Sequence, residues 1–313
     1  MKHVVIIGGK GKVGTYLVPM LCEAGYRVTN ISRGESKPYL PHGCWNSVRQ
    51  VALDRNGPDF SKQIAALRPD IVIDMICFKA EDMCRLIDML AGTVQHYLVC
   101  GSVWIHGQSV RVPCKEHEAL TPFGEYGIQK LKMVRELEQR SAFSQFPGTI
   151  VHPGHIVGPG HLPINPQGNK NPKVFEALMH SEPVALPNFG METVHHVHAA
   201  DVAGVFMAAI AAGSVSFGQS FHAVSDGALT LRGYAETVAG WFGQEANLVF
   251  QPFDEWKQCV EEADAASTRD HILHAPNASM EKTRRLLGFV PRYSSLQAVR
   301  EALDWMIANG VVH

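Results

Sequence analysis

Residues 3–14 read His3-Val4-Val5-Ile6-Ile7-Gly8-Gly9-Lys10-Gly11-Lys12-Val13-Gly14. The β-branched run before the first glycine predicts a short buried strand of a parallel sheet. The apolar-rich stretch from Tyr16-Leu17-Val18 to Ala24 predicts a helix. Strand, glycine turn and helix, in that order, form the context in which a G-x-x-G-x-x-G spacing binds a dinucleotide. Gly8, Gly11 and Gly14 let the backbone approach a pyrophosphate, and the helix N-terminus offers it free N–H groups and a positive dipole end. Lys10 and Lys12 add positive charge. With Val13, these are the candidate contacts to the dinucleotide. Glycine is also the ordinary turn residue, so the reading has to be carried by the rest of the chain.

Outward from this turn, residues 26–31 predict a second strand, ending at Ser32-Arg33-Gly34. The acidic residue that takes the ribose hydroxyls of NAD in doubly wound proteins is missing there, and Arg33 is placed to pair with the 2′-phosphate of NADP. Strands are expected at 47–53, 70–76 and 94–100, with helices at 59–67 and 80–91 between them. This alternation predicts an α/β fold with a doubly wound parallel sheet and ligands beyond the strands' C-terminal ends, where Asp54, Cys77, Gly101 and Ser102 fall. A helix over 126–144 opens with Tyr126-Gly127-Ile128-Gln129-Lys130, which sets Tyr126 and Lys130 on one face. An ammonium beside a phenol favours the phenolate and would make Tyr126 a usable acid/base near neutral pH.

Taken together, these segments resemble an extended short-chain dehydrogenase/reductase, the group of NAD(P)-dependent sugar epimerases, dehydratases and reductases built on a Rossmann fold. The glycine turn matches the group's pattern, and Asp54 matches the acid that contacts adenine. Gly101 to Gly107 (GSVWIHG) resembles the segment that carries the catalytic Ser or Thr, and Tyr126 to Lys130 matches Tyr-x-x-x-Lys. His152-Pro153-Gly154-His155-Ile156-Val157-Gly158-Pro159-Gly160 resembles R-P-x-N-x-Y-G-P-G. His196 to Ala203 resembles the late strand-to-helix segment, and Ser279 to Pro291 resembles S-x-K-x-x-x-x-L-G-x-x-P. The resemblance implies a catalytic set of Ser102, Tyr126 and Lys130, further cofactor contacts from Pro153 and His155, and substrate contacts from Trp104 and His106. It also implies a homodimer built on the helices at 80–91 and 126–144.

Two departures narrow the chemistry. The dehydratases of the group carry Asp-Glu directly after the catalytic Ser or Thr, whereas Val103-Trp104 follow Ser102, which disfavours dehydration. Val194 stands near the place where binders of nucleoside-diphosphate sugars have an arginine. His152, His155, His161, His195, His196 and His198 are dense, but they lack an H-x-x-x-H helix or a matching carboxylate set, and no metal is expected. His196 and His198 alternate along a strand and face one side.

Residues 1–158 and 194–224 are expected to form the dinucleotide-binding domain. Residues 159–193 and 225–313 are expected to form a smaller C-terminal α/β substrate domain. In the latter, helices are expected at 230–242, from Asp254-Glu255-Trp256, from Ser279 to Gly288 and at 296–309, with a strand at 247–251. Residues 160–171 are rich in Gly, Pro and Asn and predict a loop at the cleft mouth, open to motion. The function expected is reversible hydride transfer at a secondary alcohol of a sugar or sugar derivative, with NAD or NADP as cofactor and NADP favoured by Arg33 and Lys10. A carbonyl reductase acting on a non-sugar substrate is the first alternative, and a non-catalytic dinucleotide sensor is the alternative of another class.

A net charge of −2 over 313 residues gives no reason to expect nucleic acid or an anionic membrane as partner. The seven cysteines include no C-x-x-C and suit a reducing cytoplasm better than a disulfide framework. No apolar run is expected to reach the length of a membrane span.

Overall fold

The computed structural model describes residues 1–313. In the first half the elements are β1 (His3–Ile7), α1 (Gly14–Glu23), β2 (Arg27–Ser32), β3 (Arg49–Ala52), α2 (Phe60–Ala66), β4 (Ile71–Asp74), α3 (Ala80–Leu90), β5 (His96–Cys100), α4 (Gly124–Ser144) and β6 (Gly148–Pro153). The second half contains β7 (His155–Val157), α5 (Lys173–Met179), β8 (Val184–Pro187), β9 (Thr193–Val194), β10 (His196–His198), α6 (Ala199–Ala212), β11 (Gln219–Ala223), β12 (Leu229–Thr230), α7 (Leu231–Gly240), β13 (Leu248–Gln251), α8 (Phe253–Trp256), α9 (Glu262–His274), α10 (Glu281–Leu287) and α11 (Ser295–Ala308).

Seven strands form one parallel sheet in the order β11-β6-β5-β4-β1-β2-β3. Both faces are covered. Val4 and Ile6 of β1 point into one apolar cluster with α1 and α6, while Val5 and Ile7 point into another with α2, α3 and α4. Burial on both faces explains why the strand reads as a continuous apolar run rather than an alternating one. The strand order reverses between β1 and β4, so the glycine turn after β1 opens onto the crevice where such sheets bind ligands. A third apolar cluster joins Phe175, Leu186, Leu231, Tyr234, Val299 and Leu303 of the later elements. There the strands come only in pairs: β7 with β10, β9 with β12 and β8 with β13.

Three expectations are corrected. Residues 160–171 do form a loop, but a pinned one: Asn165 and Asn169 are buried, and Asn165 Nδ2 donates to Asn169 Oδ1 at 2.6 Å and Asn171 O at 2.9 Å. One window, Ala199–Ser216, does reach span length with a mean hydropathy of 1.6, yet 56% of it is buried, and α6 within it packs against α1 and the sheet. The helix expected from Asp254 onward is a single turn, α8. The longer helix here is α9, whose Ala, Asp, Ser and Thr residues give no apolar stripe to read.

Candidate functional site

Two adjoining cavities lie at the C-terminal edge of the sheet. The first, of about 570 Å³, runs over the glycine turn and the ends of β2, β3 and β4, and Gly8, Lys10, Gly11, Arg33 and Asp54 line it. The turn is built for close approach. A Cβ on Gly14 would sit 2.2 Å from Gly9 O, and one on Gly8 (φ +84°) would sit 2.8 Å from Ile76 Cγ2. Gly9 N donates to Asn30 Oδ1 at 2.9 Å, which ties the turn to β2. The N–H groups of Lys12, Val13 and Gly14 make no hydrogen bond within the chain. Three free donors at a helix N-terminus fit a pyrophosphate, so these residues suit a dinucleotide. The Val13 side chain itself is buried against the sheet.

Further along this cavity, Arg33 is exposed and Glu35 stands 3.8 Å from it, so an acid does lie near the end of β2, two residues beyond the position read from sequence. An exposed pair of this kind is weak and leaves Arg33 free to turn. Beneath the cavity, Arg55 Nη1 donates to both carboxylate oxygens of Asp74 at 2.7 Å. Sequence reasoning missed this pair because Arg55, in the loop after β3, and Asp74, at the end of β4, lie far apart in sequence.

The second cavity, of about 320 Å³, is lined by Ser102, Trp104, Tyr126 and Lys130, and by Pro153 and His155 at the end of β6 and start of β7. Lys12 also faces this cavity rather than the first, and Phe78 lines both. Ser102 ends β5. Its N–H donates to His152 Nδ1 at 3.0 Å, and its Oγ accepts from Trp104 N at 3.2 Å, capping a short 3₁₀ turn. Lys130 is buried on α4, and its Nζ donates to Cys77 O at 2.7 Å and Cys100 O at 2.6 Å. Those carbonyls hold the ammonium 5.6 Å from the centre of the Tyr126 ring.

The electrostatics differ from the expectation of a lowered phenol. Burial pushes Tyr126 up to about 12, Cys100 adds to the rise, and the Ser102 hydroxyl opposes it. Burial in turn lowers Lys130. In the protein alone, desolvation outweighs the help that the Ser102 hydroxyl gives the phenolate.

His106, expected to touch substrate, does not line this cavity. It is buried, with Nδ1 facing Glu118 O at 2.7 Å and Nε2 2.8 Å from His222 Nε2. From α9, His271 joins the lining of this cavity, and both α9 histidines pack on Trp104. His274 stacks on Trp104 with ring centres 4.0 Å apart, and His271 meets the Trp104 edge at 5.5 Å. A His-x-x-His pair on α9 was the sequence signal available for these contacts.

A seven-stranded doubly wound sheet with a glycine turn at its switch point, and a Ser-Tyr-Lys grouping beside it, is the architecture of a dinucleotide-dependent enzyme. The sequence model of the NAD dependent epimerase/dehydratase family matches residues 4–219, and the chain belongs to that family. It is an NAD-dependent enzyme of the epimerase and oxidoreductase kind. It is 39% identical to 2′-dehydrokanamycin reductase of Streptomyces kanamyceticus over 130 residues, which span 41% of this chain and only 36% of that protein. It is 24% identical to the chloroplast stem-loop binding protein of 41 kDa b of Arabidopsis thaliana, over 99% of this chain and 80% of that one. Among solved structures, dTDP-glucose 4,6-dehydratase of Bacillus anthracis in complex with NAD superposes with a TM-score of 0.76 at 12% identity, covering 99% and 98% of the two chains.

Proposed function

We propose that the chain moves a hydride reversibly between a nicotinamide dinucleotide and a secondary alcohol of a sugar-like small molecule. The observation that carries this reading is the meeting of Ser102, Tyr126 and Lys130 on one wall of the smaller cavity, next to the glycine-turn cavity. The dinucleotide, when bound, supplies or takes the hydride. Tyr126 takes the hydroxyl proton in oxidation and returns it in reduction. Ser102 Oγ donates a hydrogen bond to the oxygen that becomes the carbonyl. Lys130 uses two of its three N–H donors on Cys77 O and Cys100 O. The third remains for a ribose hydroxyl, and its positive charge favours the Tyr126 phenolate.

The smaller cavity has no carboxylate among its lining residues. Water loss needs an acid and a base at neighbouring carbons, so this composition supports epimerisation or carbonyl reduction over dehydration. For the cofactor, Lys10, Arg33 and Lys37 share the larger cavity and favour the 2′-phosphate of NADP over the plain ribose. A second reading, taken from the stem-loop binding relative, is a nucleic-acid binder; a net charge of −2 gives it little support. A homodimer through α3 and α4 is part of the proposal.

Tyr126→Phe tests the chemistry. Turnover should fall by roughly 10²–10⁴-fold, the usual worth of a positioned acid/base, while binding of the reduced cofactor stays within twofold of the parent (~2-fold, since no charge or donor to the dinucleotide is removed). Retained turnover would remove Tyr126 from the mechanism.

A further inference from the structure

The turn that follows Ser102 ends on a buried pair of rings that the hydride chemistry does not use. His106 closes the 3₁₀ turn Val103–His106, which Ser102 Oγ caps. Its ring meets that of His222 on β11, and both rings are buried. The hydrogen bonds at this meeting cannot all be made by two neutral rings. His106 Nδ1 stands 2.7 Å from Glu118 O, and His222 Nδ1 stands 3.0 Å from Ser279 O. A carbonyl oxygen only accepts, so each Nδ1 carries a proton. A neutral imidazole has one N–H, which leaves a bare lone pair on each Nε2. Yet the two Nε2 atoms are 2.8 Å apart, a hydrogen-bonding distance. One further proton between them makes that contact attractive, and the pair then carries one positive charge. The counter-charge is at hand. Glu116 is buried, and its Oε1 accepts from His222 N at 3.1 Å and lies 3.9 Å from His222 Nδ1. No lysine or arginine stands within salt-bridge distance of this carboxylate. A buried carboxylate without a cation is costly.

We propose that His106 and His222 share one proton as a buried imidazole–imidazolium pair balanced by Glu116, and that this pair positions the turn that begins at Ser102. The value of that positioning rests on the reading of Ser102 as the donor to the reacting oxygen; the shared proton does not. Thr121 Oγ1 donates to His106 O at 3.3 Å, and Thr283 Oγ1 donates to His222 O at 2.7 Å. The pair therefore joins the turn to the segment before α4 and to α10. Burial opposes charge on either ring. For a single shared proton it is outweighed, because removing that proton leaves two facing lone pairs and an unpaired buried carboxylate. The other titratable groups that face the pair are Glu118, His152 of β6, His195 between β9 and β10, and Lys282 of α10. Glu118 favours the shared charge, and His195 and Lys282 oppose it. When the proton leaves at high pH, the lone pairs repel each other and the turn loses its anchor.

The test is magnetic resonance of the full chain, isotope-labelled at the histidine nitrogens and titrated from about pH 6 to about pH 9, either side of the ordinary histidine value. One signal from a proton held between two ring nitrogens should persist at about pH 7.5, roughly one unit above that value. It should vanish in both His106→Gln and His222→Gln. Glu116→Gln keeps an acceptor for His222 N and removes the charge, so proton release should move down by about one pH unit or more. At a pH between the two release points, the amides of Trp104, Ile105 and Gly107 should exchange with solvent about tenfold faster in Glu116→Gln than in the parent, the factor that one unit of proton affinity carries. Two neutral rings at neutral pH, or a signal that survives either histidine change, overturns the shared proton. An unmoved release point in Glu116→Gln overturns its balancing role, and unmoved exchange overturns the positioning. The parent titration and Glu116→Gln decide the matter even where a histidine variant fails to fold. No readout uses turnover or nucleotide, so a failure of the hydride chemistry would leave the shared proton standing.

Discussion

Single histidines carry much of this protein's response to acid. His196 and His198 share one side of β10, as their alternation implies, and both are buried. His196 Nε2 faces Ile164 O at 3.0 Å, which ties β10 to the pinned loop. Burial pulls His96 and His195 down to about 4, and His161 and His196 down to about 3. These rings are neutral in the native state at pH 7, while in the unfolded chain they titrate near 6.5. Between pH 6.5 and 4 the unfolded chain therefore binds more protons, and stability falls as pH falls. Each ring contributes up to ~1.4 kcal/mol per pH unit in that window. Urea midpoints measured from pH 7.5 down to about 5 should drop steadily. A flat midpoint over that range would mean that these rings are not buried neutral. Histidine density was legible in the sequence. Its meaning was not, because a ligand and a core ring share the same letter, and only the packed surroundings separate them: His195 and His196 face carbonyls, whereas His155 and His161 have no hydrogen-bond partner.

At the scale of elements, the end of β4 links packing to the site. Asp74 Oδ1 accepts from Ile76 N at 3.3 Å, and the Ile76 side chain fills the space against Gly8. Arg55, from the loop after β3, completes the link as a buried ion pair. Asp74→Ala strands the guanidinium and should cost ~3–5 kcal/mol of stability in urea unfolding. It should also weaken dinucleotide binding through the loosened turn. A double change, Asp74→Leu with Arg55→Met, should restore most of the stability, because both buried charges leave together. A single Asp74→Ala variant as stable as the parent would contradict this account. Five of the seven strands of the large sheet, β1 to β5, were expected from the sequence, and only their ends moved: 47–53 contracts to Arg49–Ala52, and 70–76 to Ile71–Asp74; β6 and β11 were not read as strands. Helix α9 escaped because it has no apolar stripe, and with it went His271 and His274. The loop at 160–171 was read as mobile because Gly, Pro and Asn mark turns. Here the asparagine amides bond to one another and to α9, which sequence cannot show.

Over the whole molecule, one sheet buried on both faces sets a glycine turn and the cavity lined by Ser102, Tyr126 and Lys130 along a single edge. Their order along the chain was legible from the motifs. Their division into two cavities meeting at Phe78, and the turning of Lys12 into the smaller one, emerged only from the fold. The central claim is that this edge holds a nicotinamide dinucleotide with its reactive end toward Tyr126. The most direct measurement is equilibrium titration of nucleotide-stripped protein with NADPH and with NADH, read by the fluorescence of the reduced nicotinamide. The account predicts saturable binding of both at one site per chain, with NADPH the tighter through Arg33 and Lys10. Binding of neither would contradict it.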